Sequence, residues 1–313
     1  MTTPELTAPL PVRREIDLSP SSRRIGELVI RGVLALAALV SVLTTVGIVF
    51  SLLFPAIEFF AEISLWDFLT GSEWAPLFEP GSFGVQPLVL ATFLVTFWAL
   101  LIAAPAGLGT AIFLSEYARP RTRAILKPVL EVLAAVPTVV YGYFALTAVT
   151  PLLRSLGLEV EIFNVLAGGL VIGVMLIPTI ASLSEDAMAA VPRDLRDGAY
   201  GLGADRLQVA TRVVVPAATS GIVASFVLGI SRAVGETIIV LIAVGQLAQI
   251  TFDPREPMAT LTAFIGATGN GDLPTGSIEY KTIFAVGLTL FVLTFVMNVI
   301  SIRLVRRFRE VYE

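Results

Sequence analysis

Residues 191–216 read VPRDLRDGAYGLGADRLQVATRVVVP, and this polar segment decides the fold because apolar runs long enough to cross a membrane lie on either side of it. Pro192 suits the first turn of a helix. Gly203 can end that helix in the left-handed conformation, and Asp205 can cap the helix that follows. The pattern predicts two short helices at an angle, which project from the membrane between two spans. We call residues 191–216 the elbow.

The first elbow helix combines small residues with charged ones. Small side chains allow the backbone of another chain to approach closely. They lie at Gly198, Ala199, Gly201 and Gly203. The charged residues Arg196, Asp197 and Arg206 are expected to fix the register of that approach. The elbow is therefore predicted to be a docking surface for another subunit.

The composition of the 313 residues indicates that lipid is the main solvent of this chain. Hydrophobic residues make up 56% and charged residues 15%, and the mean hydropathy is +0.86. A soluble domain cannot expose that much apolar surface without aggregating. The chain has no cysteine and no histidine, which excludes disulfides, thiolate metal sites and histidine-based catalysis. We expect no catalytic residue, metal site or cofactor on this chain, and membrane lipid rather than nucleic acid around it.

Six apolar stretches are long enough to cross a bilayer, whose core of about 30 Å needs about 20 residues in a helix. A lone strand in lipid would leave its backbone groups unsatisfied, so each stretch is predicted to be helical. The stretches are residues 28–54, 88–114, 129–150, 163–183, 217–244 and 282–304. The predicted fold class is an all-α integral membrane domain of six transmembrane helices, which occupies residues 25–313.

The basic residues predict the orientation of these spans, because short loops rich in Lys and Arg stay in the cytoplasm. Of the 21 basic residues, 17 fall before or at the start of span one, between spans two and three, in the elbow, or after span six. Both termini and the elbow are therefore predicted to be cytoplasmic. Residues 1–24 are rich in Pro, Ser, Thr and Arg and lack the pattern of a signal peptide. They are predicted to form a flexible cytoplasmic tail.

The opposite loop between spans one and two, residues 58–86, has five acidic residues and no basic one. It also concentrates aromatic residues, which are Phe59, Phe60, Trp66, Phe68, Trp74, Phe78 and Phe83. Aromatic residues are enriched both at membrane interfaces and at protein contacts. The pattern favours an aromatic belt at the membrane interface. It leaves open a small folded outer segment that also meets an external partner.

Two charged residues lie inside span five, where residues 230–237 read ISRAVGET. Arg232 and Glu236 are four residues apart and would share one face of a continuous helix. An arginine at the bilayer centre costs about 3 kcal/mol on insertion scales and normally faces a cavity or a partner. Its planar guanidinium matches two oxygens of a tetrahedral oxyanion. The pair is either a self-neutralising structural ion pair or an anion site in which Glu236 positions the arginine. We favour the anion site, with Thr237 beside it.

A proline is expected to bend span three, because it removes a backbone donor and can kink a helix. Pro137 is followed by Thr138 and Tyr141. A static kink is common in membrane bundles. The functional alternative is a bend at Pro137 that lines a transport pathway together with Thr138 and Tyr141.

The elbow resembles the docking loop of ABC importer permeases, which has the form E-A-A-x3-G-x9-I-x-L-P. The residues at the same intervals here are Asp197, Gly198, Ala199, Gly203, Val213, Val215 and Pro216. The resemblance implies the type I permease fold and a coupling helix that docks into a groove on a separate ATPase subunit, with Gly201 and Asp205 in the same surface. The chain has no G-x4-G-K-[ST] phosphate loop, so ATP and Mg are expected on the partner ATPase.

Further stretches resemble the phosphate permease pair of bacterial importers. Residues 232–237 match R-A-[IV]-G-E-T and residues 136–142 match V-P-[ST]-V-V-Y-G, while residues 71–76 and 83–88 resemble the PstC-type subunit more than its PstA-type paralogue. The resemblance implies a subunit that passes inorganic phosphate across the bacterial cytoplasmic membrane by alternating access. It also implies a PstA-like second permease, a dimeric PstB-like ATPase and an external PstS-like phosphate-binding protein.

Other interpretations stay open at this point. The chain could be the PstA-type paralogue or a sulfate or molybdate permease, since selection among oxyanions is expected at the external binding protein. An ion-coupled secondary transporter is typically built from inverted repeats with broken helices, and the sequence shows no convincing internal repeat. An intramembrane enzyme would need a pair of intramembrane carboxylates or other catalytic groups that the sequence does not supply.

Overall fold

The computed structural model describes residues 25–271 and 273–307, and these are mostly helical. The α-helices are α1 (Ile25–Glu62), α2 (Leu65–Thr70), α3 (Gln86–Ile112), α4 (Pro120–Ala134), α5 (Thr138–Phe144), α6 (Thr150–Ser155), α7 (Val165–Ala189), α8 (Arg193–Gly201), α9 (Arg206–Val209), α10 (Val215–Ala217), α11 (Thr219–Val234), α12 (Leu261–Gly269) and α13 (Ile278–Arg307). Short π-helical segments lie at Phe113–Tyr117, Ala145–Val149, Ala210–Val214 and Val240–Val244. A small antiparallel hairpin is formed by β1 (Trp74–Ala75) and β2 (Ser82–Phe83). The predicted tail, residues 1–24, lies outside the described residues.

Length and composition allow four of the described helices to cross a membrane, namely α1, α3 with its π-helical extension, α7 and α13. Two bent pairs of helices raise the number to six if each pair counts as one span. One pair joins Pro120–Ala134 to Thr138–Ser155 at 84°, and the other joins Arg206–Ala217 to Thr219–Val234 at 73°. The predicted all-α membrane fold is therefore confirmed, although two of its spans are broken, span three at residues 135–137 and span five at Ala218 and again at residues 235–237.

The prediction of one continuous helix over residues 217–244 is wrong. Helix α11 ends at Val234, residues 235–237 are not helical, and helical structure resumes before the π-helical segment Val240–Val244. Gly235 is a poor helix former, and the Glu236 side chain accepts hydrogen bonds from backbone donors that follow it. Both effects favour a break at this point. An irregular segment, residues 245–260, then leads to α12, which the sequence did not predict.

The chain divides into two compact units between Phe50 and Ser51. In the first unit, the described residues form the first part of α1. Its side chains from residue 26 to residue 50 are almost all exposed, and most of them are apolar. A helix that is apolar all round is typical of a membrane span. The other elements belong to the second unit.

Helices α3 and α7 make the most extensive helix contact of the second unit. Membrane helices gain no hydrophobic driving force from lipid, so they associate through close packing of small residues. A methyl group added at Gly173 of α7 would lie 2.7 Å from the carbonyl oxygen of Ala99, and one at Gly169 would lie 2.7 Å from the Cβ of Trp98. Glycine at these two positions therefore allows the two backbones to approach. Helix α11 also packs against α7.

Residues 63–85 fold into a small outer segment that contains α2 and the β1–β2 hairpin. Phe59, Phe68 and Trp74 are buried and pack edge to face, an arrangement that aromatic rings prefer. The predicted aromatic belt is therefore wrong for these three residues. The alternative prediction that this loop is folded is confirmed, and both its outer location and its contact with an external partner stay predictions.

The close contact at Gly173 predicts a cost for even the smallest side chain. Gly173→Ala should lower the free energy of unfolding by about 1–3 kcal/mol, because the added methyl group would collide with the backbone of Ala99. Gly109→Ala on α3 is the matched control, since Gly109 has open space around it and alanine favours a helix by about 1 kcal/mol. The thermal midpoint of the purified protein in detergent measures both effects. Equal midpoints for the two variants would contradict the packing role of Gly173.

Candidate functional site

The elbow folds as two short helices joined through Gly203. Helix α8 ends at Gly201, and α9 begins at Arg206. Gly203 has a φ of +85°, a conformation that glycine adopts without strain. The Asp205 side chain accepts a hydrogen bond from the Gln208 N–H at 2.8 Å, while the Gln208 side chain accepts one from the Asp205 N–H at 3.1 Å. This reciprocal capping box satisfies two backbone donors. The two predicted short helices, the turn at Gly203 and the cap at Asp205 are confirmed, and the projection of the elbow from the membrane stays a prediction.

One face of the elbow is open. Asp197, Gly198 and Gly201 are exposed. A methyl group built on Gly198, Gly201 or Gly203 would have no neighbour within 4 Å. The structure thus leaves room for another subunit at most of the residues that the sequence assigned to docking.

The remaining docking residues divide between this face and the interior. Asp205 and Pro216 are exposed, whereas Ala199 is partly buried against the apolar cluster that joins the elbow to the rest of the protein. Leu202 and Leu207 are exposed apolar side chains, and 91% of Leu202 is accessible. Sequence analysis missed these two leucines, although an apolar residue in a polar loop was a usable signal.

Arg196 points into the protein and not toward the open face. Its side chain is 16% exposed and forms an ion pair with Glu116, with 3.0 Å between Nη2 and Oε1. The guanidinium also donates to the carbonyl oxygens of Met188 and Val191 at 2.8 and 2.6 Å. The prediction that Arg196 fixes the register of a docking partner is therefore wrong.

Span three is bent at the predicted proline. Helix α4 ends at Ala134, and α5 begins at Thr138 with Pro137 in the capping position. The Tyr141 hydroxyl donates to the carbonyl oxygen of Leu133 at 2.8 Å, across the break. The same carbonyl accepts only a long hydrogen bond from the Val136 N–H, at 3.4 Å, so the shorter hydrogen bond from the hydroxyl stabilises the bend.

Arg232 lies in the last turn of α11, and its partner is a hydroxyl group. Nη1 of Arg232 donates to Oγ1 of Thr179 on α7 at 3.0 Å. No carboxylate of the described residues forms an ion pair with Arg232, and its side chain is partly exposed. This hydrogen bond ties the end of α11 to the middle of α7.

Glu236 is buried and caps the helical turn that follows the break in span five. Its Oε1 accepts hydrogen bonds from the backbone N–H groups of Ile238 and Ile239, each at 3.1 Å. Thr262, at the start of α12, donates to the backbone carbonyl of Glu236 at 2.7 Å. The predicted pairing of Arg232 with Glu236 is wrong, because α11 ends between the two residues and they do not share a helix face.

The predicted pathway residues border the contact between the two broken spans. Gly142 of α5 faces Ile239 and Ile242, which follow the break in span five. Thr138 and Thr237 are partly exposed beside the two breaks, and the Thr237 hydroxyl donates to the carbonyl oxygen of Gly235 at 3.2 Å. In the part of the chain that the structure describes, no three acidic side chains come together as a metal site would require.

Residues 103–310 match the family of the "Binding-protein-dependent transport system inner membrane component". The matched range is more than half of the chain and contains the elbow and both broken spans. The chain belongs to this family. It is therefore the permease subunit of an ABC importer and an inner-membrane component.

Two relatives of this permease show the same type of subunit. It is 36% identical over 279 residues to the probable ABC transporter permease protein YqgH of Bacillus subtilis, and the aligned region covers 88% of this chain and 90% of that protein. It is 32% identical over 262 residues to the phosphate transport system permease protein PstC of Haemophilus influenzae, and the aligned region covers 78% of this chain and 82% of that protein. These identities confirm the predicted resemblance to PstC-type permeases.

A solved structure shows the same fold. The permease resembles a chain of the bacterial alginate ABC transporter solved in complex with an alginate pentasaccharide-bound periplasmic protein, with a TM-score of 0.62 and 16% identity. The superposition covers 91% of this chain and 98% of that one. At this identity the likeness supports the fold alone.

Sequence analysis missed two buried acidic residues on the elbow side of the permease. The Glu116 side chain is 5% exposed, and Glu185 is fully buried. Glu185 forms ion pairs with Arg123 and, at 2.8 Å, with Lys127 of α4. Each acid stands two residues beyond the end of a predicted span, where a carboxylate is usually solvated. The signal that could have found them is the group of basic residues between spans two and three.

The cap at Glu236 predicts different effects for two substitutions. Glu236→Ala should lower the free energy of unfolding by about 1–3 kcal/mol, because two backbone N–H groups would lose their acceptor. Glu236→Gln should keep most of the stability, since the amide oxygen can still accept. Glu131→Ala is the control, because Glu131 is exposed and has no side-chain hydrogen bond in the described part of the chain. Thermal midpoints of the purified protein compare the three. A Gln variant as unstable as the Ala variant would show that the charge, and not the cap, stabilises the break.

Proposed function

We propose that this permease passes inorganic phosphate across the bacterial cytoplasmic membrane by alternating access, driven by a separate ATPase subunit. The observation that carries the proposal is the pairing of Arg232. The residue lies about 20 Å along α11 from Thr219, at 1.5 Å per residue. Its hydrogen-bond partner is the neutral hydroxyl of Thr179, which orients the guanidinium without cancelling its charge.

Arg232 lies inside a span and lacks the carboxylate partner that three other arginines of the described chain have. Arg123, Arg196 and Arg255 each form an ion pair with a carboxylate. A charge inside a membrane span is costly and marks an ion or substrate pathway by default. An oxyanion would supply the missing negative charge, and the guanidinium fork can bind two of its oxygens at once.

Relatives and chemistry together favour phosphate as the oxyanion. Relatives at about 30% identity over most of the chain are named phosphate transport system permease proteins. The pathway in this proposal includes Arg232, Glu236 and Thr237 at one break, and Pro137, Thr138 and Tyr141 at the other. A broken span can change the angle between its two helices without unfolding either of them, which suits a hinge. This property supports alternating access.

The proposed partners occupy opposite ends of the spans. A dimeric PstB-like ATPase, which binds ATP and Mg, docks on the open face of the elbow. A PstS-like phosphate-binding protein docks on the side of the outer segment, and a PstA-like permease completes the pathway. Both termini then face the cytoplasm. The alginate transporter was solved with a periplasmic protein bound, which supports an external partner.

Substitution of Arg232 tests the anion pathway. Arg232→Gln should reduce phosphate uptake at least about tenfold while the complex still assembles, because the anion loses a charged partner. Arg232→Lys should also be impaired, since a point charge cannot reproduce the planar fork. Proteoliposomes that contain both permeases and the ATPase, supplied with the loaded binding protein, allow uptake of radioactive phosphate to be measured per complex.

The control for Arg232 is an arginine outside the spans. Arg255→Gln removes the same charge from the irregular segment 245–260, where Arg255 is paired with Asp253. Its uptake should stay near that of the unchanged transporter. If Arg232→Gln takes up phosphate normally, this arginine is not part of the pathway. If the unchanged transporter takes up no phosphate, phosphate is not the substrate.

A bulky charge on the open face tests the docking of the ATPase. Gly198→Arg should abolish co-purification of the ATPase or uncouple its ATP hydrolysis from uptake, because the side chain would fill the space that the partner needs. Gly269→Arg is the matched control, since Gly269 lies at the end of α12 and also has no neighbour within 4 Å. Pull-down yield and uptake measure both variants. Normal assembly and uptake with Gly198→Arg would exclude the elbow from coupling.

A further inference from the structure

Arg196 joins the elbow to the end of span two, 80 residues away in sequence, and to the nearby end of α7. Its guanidinium contacts Oε1 of Glu116 through Nη2 at 3.0 Å and through Nε at 3.3 Å. Nη1 donates to the carbonyl oxygen of Val191 at 2.6 Å, and Nη2 donates to that of Met188 at 2.8 Å. One side chain therefore fastens α8 to the π-helical end of span two and to the C-terminal end of α7.

The contact between Arg196 and Glu116 is shielded from solvent. The two side chains are 16% and 5% exposed. The Ser115 hydroxyl also donates to Oε1 of Glu116, at 2.8 Å, so this oxygen accepts hydrogen bonds from two residues. Removal of one partner from a buried ion pair leaves an uncompensated charge and costs far more than an exposed pair contributes. The contact is therefore a firm attachment and not a surface pair.

The two faces of α8 make different contacts. The open face presents Asp197, Gly198 and Gly201 to the outside. On the inner face, Ala199 contributes a small apolar contact, and Arg196 contributes the hydrogen bonds and the ion pair. Arg196 is therefore the side chain that ties the inner face of α8 to spans two and four by polar contacts.

We propose that Arg196 is the positioning residue that makes spans two and four follow the elbow when the ATPase moves it. This rests on the proposed docking of the ATPase at the elbow. Displacement of α8 carries Glu116 and the Met188 carbonyl with it. Helix α7 is continuous from Val165 to Ala189, and Thr179 on that helix holds the guanidinium of Arg232. The movement of the elbow is therefore transmitted along α7 to the anion site.

Substitution of Arg196 in the complete transporter tests this transmission. With Arg196→Gln, the ATPase should still co-purify and hydrolyse ATP, because the open face is unchanged. Phosphate taken up per ATP hydrolysed should fall about tenfold, the size of effect seen for residues that carry coupling. Glu116→Gln should give a similar loss, and the double variant should be no worse than either single one, since all three remove the same contact.

The matched control removes an arginine of the elbow that has no such contact. Arg212 is exposed and has no side-chain hydrogen bond in the described part of the chain. Arg212→Gln should keep the uptake per ATP of the unchanged transporter. This comparison separates the contact of Arg196 from a general effect of positive charge.

A covalent link separates transmission from folding. The chain has no cysteine, so the double variant Arg196→Cys, Glu116→Cys carries the only two thiols of the chain. The experiment uses a transporter whose other subunits lack cysteine. A short bifunctional thiol reagent then joins the two thiols. The link should restore uptake per ATP, whereas a reagent that modifies each thiol separately should not.

The outcomes distinguish the transmission role from the docking role. A normal uptake per ATP with Arg196→Gln, or loss of ATPase co-purification with that variant, would overturn the transmission role. If Gly198→Arg disrupts assembly or coupling in the same experiment, the docking of the ATPase at the elbow stands by itself. If Gly198→Arg assembles and couples normally, the ATPase does not dock at the elbow, and the transmission role that rests on this docking is also rejected.

Discussion

Backbone groups freed at a break in a membrane span need new partners, and this constraint organises the site of the permease. No water in the bilayer core replaces a lost helical hydrogen bond. In span three, the carbonyl oxygen of Leu133 accepts a long hydrogen bond from the Val136 N–H at 3.4 Å and a shorter one from the Tyr141 hydroxyl at 2.8 Å. In span five, the Glu236 side chain accepts hydrogen bonds from two backbone N–H groups. The Thr262 hydroxyl donates to the backbone carbonyl of Glu236. Both breaks thus have defined geometries, and Arg232, just before one of them, has a defined position.

Helix α7 connects these breaks to the rest of the permease. One of its faces packs closely against α3 through Gly169 and Gly173, and Thr179 on the same helix supplies the hydroxyl for Arg232. Its C-terminal end supplies the Met188 carbonyl to Arg196. Because α7 is a single continuous helix, the candidate anion site and the elbow are linked by one element.

The sequence allowed the spans and the elbow to be predicted because both depend on local patterns. Apolar length defines a span, and a glycine followed by a capping aspartate defines the turn of the elbow. The partners of the charges could not be predicted in the same way. The spacing of Arg232 and Glu236 indicates a pair only on a continuous helix, and Gly235 with the competing carboxylate ends that helix. The direction of Arg196 depends on Glu116, which is 80 residues away.

The distribution of charge partners separates the residues that hold the structure from the one we assign to the anion. On the elbow side, Glu185 compensates Arg123 and Lys127, and Glu116 compensates Arg196. A carboxylate bound to a guanidinium occupies the fork that an oxyanion would use, so these cations are poor anion sites. A hydroxyl partner orients a guanidinium and leaves its charge uncancelled. Glu236 has its carboxylate engaged by backbone donors. The break that removes the predicted ion pair is therefore what leaves Arg232 without a carboxylate partner among the described residues, as the proposed anion role requires.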